Sequence, residues 1–254
     1  MDIAEALPSR FEGQTIVIVG ASSGIGAATA AIVAREGGRV VGVARRPDVL
    51  ELAIKSLPGS GHLPLALDAT DPAAVTQALA SLPDTHKSIN GAVFCAGPHL
   101  LRPLRITTAQ HYADMFKQHV LSVTNFVPGL TKLAAEGTSL VLVSSAARFR
   151  GGSAAGAYIA AKSAMVGLVR AWACELAPKI RVNSVSPGVV RSAMGDRLLT
   201  TVGPKGAEEI ERRHLLGIGR PEQVAPAIAF LLSDQANWIT GVDLPVDGGF
   251  AIQA

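Results

Sequence analysis

Short runs of apolar, largely β-branched residues recur along the chain, separated by longer segments with helical spacing. Seven runs read as strands: 15–20 (TIVIVG), 39–44 (RVVGVA), 63–68 (LPLALD), 91–97 (GAVFCAG), 138–145 (TSLVLVSS), 180–188 (IRVNSVSPG) and 241–249 (GVDLPVDGG). Helical stretches are predicted after the first strand to about residue 36, and over 72–81, 108–134, 157–176 and 221–233. The runs are continuous rather than alternating, so both faces of each strand should be covered. Strands that alternate with helices imply crossover connections and a parallel sheet, an α/β doubly wound fold. No repeat or linker interrupts the pattern, so 1–254 is expected to form one domain. Residues 189–217 are the least patterned and read as a helix-containing insertion, of the kind that often serves as a lid.

Composition narrows this picture without redirecting it. A chain of 254 residues, 48% hydrophobic and 17% charged, suits a folded α/β domain with a large core. No apolar run reaches the about 18 residues of a membrane helix. The opening "MDIAEALPSRFEGQ" carries acids and no apolar segment, unlike a signal peptide, so a cytoplasmic protein with no membrane partner is expected. The net charge is +3, with no Lys/Arg cluster suited to nucleic acid; a small anionic ligand accounts for the basic balance. Cys95 and Cys174 lie in apolar stretches and read as buried thiols. None of the six histidines has metal-ligand spacing, so no metal is expected.

Two stretches carry chemistry. "VIVGASSGIGAATAAIVA" leaves the first strand and opens the first helix, with Gly20, Gly24 and Gly26 around Ser22, Ser23 and Ile25. Absent side chains allow a sharp turn and let a phosphate reach the free N–H groups of a helix N-terminus. A P-loop would need Gly-Lys-Ser/Thr at its end, and here Ala27 follows Gly26. In "GAYIAAKSA" (156–164), Tyr158 and Lys162 stand at i and i+4 on one helix face. A phenol titrates near about 10. A neighbouring ammonium is expected to lower that value, letting the pair exchange a proton with an alcohol or carbonyl oxygen.

"GASSGIG" with "YIAAK" resembles the short-chain dehydrogenase/reductase family. The resemblance extends through "CAG" (95–97), "VLVSSAA", "RVNSVSPG" (181–188), "GRPEQVAPAIAFLLSD" (219–234) and "ITGVDLPVDGG" (239–249). It implies a Rossmann-type sheet of about seven strands with the site at their C-terminal ends. It also implies that Ser145, thirteen residues before Tyr158, hydrogen-bonds the substrate oxygen. Ser144 is the near rival, and strand alternation would send the two to opposite faces. Lys162 would further hold the nicotinamide ribose. Cys95, Ala96 and Gly97 resemble the family's Asn-Ala-Gly turn, with Cys95 replacing the asparagine. Asp68 resembles the adenine-contacting aspartate, and Ala69 follows it. Pro187, Gly188, Val190 and Ser192 match a Pro-Gly-x-x-x-Thr motif that covers the nicotinamide amide. Aligning "YADMFKQHVLSVTNF" puts His119 where the family carries a relay asparagine. His119 reads either as a replacement relay or as a packing substitution; Asn125 would lie on another face.

The end of the second strand bears on the cofactor. In "VVGVARRPD", Ala44 stands where an acid would bind a ribose 2′-hydroxyl, and Arg45 and Arg46 follow. A guanidinium suits a 2′-phosphate, which points to NADP(H), though Arg-Arg is also a common solvated pair. The lid residues Met194, Leu198, Leu199 and Ile210 favour no particular substrate. Arg148 and Arg150 read either as contacts for an anionic substrate or as a solvated turn. The expected function is carbonyl/alcohol interconversion on a small molecule, with a 3-oxoacyl thioester or another ketone as substrate. A non-catalytic NADP(H)-binding protein, or an isomerase or dehydratase on the same fold, are the alternatives. The resemblance also implies a homotetramer or homodimer.

Overall fold

A computed structural model describes residues 9–253. The stretch 1–8, read above as part of a segment without a signal peptide, lies outside the described residues. In chain order the elements are β1 (Thr15–Val19), α1 (Gly24–Arg35), β2 (Arg39–Ala44), α2 (Pro47–Lys55), β3 (Leu63–Ala66), α3 (Pro72–Ala80) and β4 (Ile89–Phe94). There follow α4 (Ala109–Phe116), a π-helical turn over Lys117–Leu121, α5 (Ser122–Thr124), α6 (Val127–Leu133) and β5 (Ala134–Val143). The chain continues through α7 (Ala147–Arg150), α8 (Gly156–Leu176), β6 (Ile180–Pro187), α9 (Ala193–Arg213), α10 (Pro221–Leu232) and β7 (Asp243–Val246). The strands form one parallel sheet in the order β3-β2-β1-β4-β5-β6-β7. Its strand order reverses between β1 and β4, the crevice where ligands bind in open α/β sheets.

Alternate residues of each central strand enter different cores. Val17 and Val19 of β1, with Leu140 and Leu142 of β5, pack under α3, α6 and α8. Ile16 and Ile18, with Val141 and Val143, pack under α1 and α10. Burial of both faces is why the runs read as continuous apolar stretches. Among the described residues, no helix is long and apolar enough to cross a membrane.

Several elements differ from the sequence reading. The expected helix over 108–134 is broken by the π turn and again before α6, where Pro128 has no N–H to offer the Thr124 carbonyl. Helix α2 is an addition to that reading: Pro47 at its first position starts it directly after the two arginines. Strand β5 ends at Val143, so Ser144 and Ser145 lie beyond the ladder's last pair. Of the two cysteines read as buried, Cys95 is half-buried and Cys174 is exposed. Ala173 faces the core, and the next residue along α8 turns about 100° away from it.

The arginines after Ser145 are not a solvated turn. Arg148 pairs with Asp243 at the start of β7, with side chains only 16% and 6% exposed. Asp243 also accepts hydrogen bonds from Ser184 Oγ (2.6 Å) and Ser186 Oγ (2.9 Å) of β6. Arg150 donates to the Phe250 carbonyl. The chain after β5 is therefore tied to the last two strands. Replacing Asp243 with Ala strands a nearly buried guanidinium and should cost about 3–5 kcal/mol in urea unfolding. The double replacement Arg148→Met, Asp243→Leu should recover most of that loss. An Asp243→Ala midpoint equal to wild type would show the pair to be inert.

Candidate active site

The C-terminal ends of β1, β2, β4, β5 and β6 open into one cleft of about 870 Å³. Its floor is the turn from β1 into α1. Gly20 adopts φ 95°, and a Cβ there would meet the Ala96 backbone nitrogen at 2.9 Å. A Cβ on Gly26 would overlap the Gly20 carbonyl. The turn is thus kept bare against the 95–97 loop, and the first N–H groups of α1 open onto the cleft. Ser22, Ser23, Gly24 and Ile25 line the same stretch, and Ser23 makes no side-chain cap. Such a cradle fits a phosphate-bearing group.

The arginines stand at the β2 end of this cleft, both exposed, beside Ala44. Asp68 faces them. The Thr70 N–H bond holds the Asp68 carboxylate below its ordinary range, and the charges of Arg45 and Lys117 add to this. Ala69 and Thr70 line the adjacent wall, where Asn125 Nδ2 donates to the Ala69 carbonyl at 3.0 Å. Asn125 is occupied there, away from Lys162.

The opposite end holds the polar side chains. Lys162 is 5% exposed, and its Nζ donates to the Val143 carbonyl at 2.7 Å. Ser144 Oγ donates to the Lys162 carbonyl at 2.9 Å. Ser144 is thereby spent on holding α8 to β5, while Ser145 Oγ accepts only the Ala147 N–H, at 3.3 Å, and lines the cleft beside Tyr158. The Lys162 ammonium lies 5.9 Å from the Tyr158 ring centroid. Burial brings Lys162 down to about 8.

Tyr158 departs from the sequence reading. Its phenol lies above its ordinary pKa, because burial outweighs the opposing hydrogen bond of Ser145. The group is therefore protonated at neutral pH and equipped to give a proton. Cys95, whose backbone N–H bonds the Val19 carbonyl, has its thiol pushed up to about 12 by burial. It is a neutral wall beside Ala96 and Gly97.

His119 is 1% exposed and sits in the π turn. Its Nε2 donates to the Pro98 carbonyl at 2.8 Å, and its Nδ1 has no partner. That nitrogen faces Gly97, where a Cβ would collide with the ring. Burial pushes the ring down to about 2, so it stays neutral. Its edge packs on Tyr158 with centroids 5.6 Å apart.

At the end of β6 Pro187 and, just past it, Gly188 and Val190 form the rim, and Val190 bridges to Gly219. Ser192 Oγ caps α9 by accepting the Gly195 N–H at 3.2 Å. Among the cleft residues missed in the sequence are His99, His214 and Phe250. His99 lies two residues past Gly97 in an irregular loop, and no periodicity marks it. His214 and Phe250 come together only through the fold, with rings 4.8 Å apart.

Comparison with known proteins agrees with this architecture. A family model described as enoyl-(acyl carrier protein) reductase matches residues 20–251. A 3-oxoacyl-[acyl-carrier-protein] reductase from Thermotoga maritima is 32% identical, over 96% of this chain and 100% of its own. The human L-xylulose reductase is 34% identical, over 94% of this chain and 96% of its own. Among solved structures, a glucose/ribitol-type short-chain dehydrogenase/reductase from Brucella melitensis superposes with a TM-score of 0.90 at 30% identity, covering 98% of this chain and all of that one. With a match spanning nearly the whole chain and relatives alike from end to end, the protein belongs to the short-chain dehydrogenase/reductase family.

Proposed function

We propose that the protein interconverts a ketone and a secondary alcohol using NADP(H), working as a ketoreductase. The observation that carries this reading is the grouping of Ser145 and Tyr158, two hydroxyls at one end of the cleft, over the buried Lys162 ammonium. Family members work with nicotinamide cofactors, and the bare glycine turn fits the pyrophosphate of one. When bound, the nicotinamide supplies or accepts the hydride. The protein does the rest. Ser145 Oγ donates a hydrogen bond to the carbonyl oxygen and orients it. Tyr158 gives that oxygen a proton as negative charge develops; its raised pKa keeps it in the protonated form that the step needs. Lys162 retains donors beyond the one spent on Val143 and would hold the ribose. His119, with one nitrogen committed and the other enclosed, serves as a packing partner for the Tyr158 ring rather than as a relay. Helix α9 forms the lid over the substrate end, through Met194 and Leu198.

The preference for NADP(H) rests on Ala44 and Arg45 at the β2 end of the cleft. The Asp68 carboxylate opposite is close enough to feel the Arg45 charge. Replacing Arg45 with Ala should raise the KM for NADPH by roughly 10- to 100-fold, as expected for a lost charge-assisted hydrogen bond. Activity with NADH should change little. Equal effects on the two cofactors would move the phosphate contact elsewhere.

The decisive experiment follows nicotinamide absorbance with NADPH and a panel of ketones, 3-oxoacyl thioesters and enoyl thioesters, with Tyr158→Phe alongside. Ketone turnover that falls roughly 10²- to 10⁴-fold in the variant supports the proposal. Turnover of the enoyl thioester alone would transfer the reading to carbon–carbon double-bond reduction. Tight NADPH binding with silence across the panel would favour a non-catalytic role, and product formation without net NADPH loss an isomerase or dehydratase.

The pH profile has a stated sign. Tyr158 keeps its proton past the ordinary phenol range, and Lys162 loses its own at about 8. Reductive kcat/KM should therefore decline above about pH 8, with the limb belonging to the lysine. A profile flat to pH 10 would place the lysine's proton loss outside the reaction.

A further inference from the structure

Three histidines surround the Tyr158 end of the cleft, and they differ in what their nitrogens are doing. His119 gives Nε2 to Pro98 and turns Nδ1 onto Gly97. His214 spends both nitrogens on the backbone: Nε2 accepts the Val189 N–H at 3.0 Å, and Nδ1 bonds the Ile210 carbonyl at 2.7 Å. His99 is committed to nothing. It lines the cleft, and its ring lies on the Tyr158 ring with centroids 4.4 Å apart at 55°. Neither of its nitrogens bonds a described residue, and neither is among the enclosed, unpartnered atoms. Both therefore keep some exposure, on a side chain that lines the cleft.

The surroundings fix what this ring can do. Burial, with a smaller contribution from the Lys162 charge, holds His99 below the ordinary histidine range. At neutral pH it presents one N–H donor and one lone pair. The remaining wall on the lid side carries the apolar Met194, Leu198 and Phe250, with Arg197, among the described residues, as its one charged side chain. A carbonyl oxygen held by Ser145 and Tyr158 would bring the carbons next to it alongside the His99 ring. A plain hydrocarbon chain would leave that donor and acceptor unpaired as water is displaced, a loss that specific sites use to reject substrates lacking the matching group.

We propose that His99 is a specificity-determining residue, which hydrogen-bonds a second oxygen on the substrate one or two carbons from the reacting carbonyl. The substrate class is then an oxygenated ketone, such as a hydroxyketone or dicarbonyl compound, rather than a simple ketone. This rests on the ketoreductase reading above.

The test measures kcat/KM with NADPH for 2-butanone, 3-hydroxy-2-butanone and 4-hydroxy-2-butanone. The proteins compared are wild type, His99→Phe, which keeps a ring against Tyr158, and His99→Gln, which keeps a donor and an acceptor. The hydroxyl makes a ketone intrinsically more or less reactive, so the informative quantity is the change in the hydroxyketone-to-butanone ratio between proteins. The ratio for the preferred hydroxyketone should fall by about 3- to 10-fold in His99→Phe, the worth of one hydrogen bond. His99→Gln should restore much of it. An unchanged ratio in His99→Phe overturns the proposal. So does an equal fall for all three ketones, which would mean that His99 acts only through the placement of Tyr158. Reduction of none of the three by wild type, with NADPH binding intact by fluorescence, removes the proposal. Turnover of other ketones in the wider panel would in that case leave the ketoreductase reading standing.

Discussion

The active end of this fold depends on placing an ammonium where there is almost no water. Lys162 reaches the Val143 carbonyl with its Nζ, while its own carbonyl accepts the Ser144 hydroxyl. These two bonds, one at each end of a single residue, fix α8 on the tip of β5. They thereby set Tyr158 opposite Ser145. The arrangement is costly. A fall in pKa from 10.5 to about 8 corresponds to a penalty on the order of 3 kcal/mol for the charged form. The unfolded chain binds this proton more tightly, so the penalty is full below about pH 8 and is relieved as the pH rises toward 10.5. A purely structural position would be better filled by a hydrocarbon side chain.

The second half of the chain serves that end in ways the first half does not. Asp243 gathers Arg148 and two serines of β6, and Arg181 reaches the carbonyls of Leu231 at the end of α10 and of Ser233 and Ile239 beyond it. Both arginines are largely buried. Arg148 ties the loop after Ser145 to the last two strands, whereas Arg181, opposite Ser139 at the start of β6, ties the other end of that strand to the chain leaving α10. The position of the chain around Ser145 is thus underwritten by residues close to a hundred positions away in sequence.

Most of the fold was legible because parallel strands buried on both faces write themselves as unbroken apolar runs, as in TIVIV of β1. The glycine turn and the Tyr158/Lys162 pair were legible because each packs its chemistry into a few consecutive residues. What escaped was decided by tertiary contact. The 108–134 segment has helical periodicity throughout, and the π turn that holds His119 leaves no mark on it, although Pro128 was a local signal for the second break. Cys174 lies in an apolar stretch, and only the packing of α8 shows which way it turns. The direction of the Tyr158 shift could not be read from an i, i+4 spacing. The spacing places the lysine one turn away, whereas the shift is set by burial against the Ser145 hydrogen bond, and burial is a property of the whole cleft. His99 belongs to the same class, since nothing in the local sequence says that its loop folds back over Tyr158.

Helix α9 is held at both ends. Ser192 fastens its first turn, and His214, immediately after its last residue, is bonded back to Ile210 and across to Val189. Between these ties Gly203 takes φ 73° with open space around it, and Pro204 follows. A strap pinned at two points cannot swing like a door. Bending of the strap therefore falls at Gly203 rather than at either tie, and that is where the chain beside the cleft is softest.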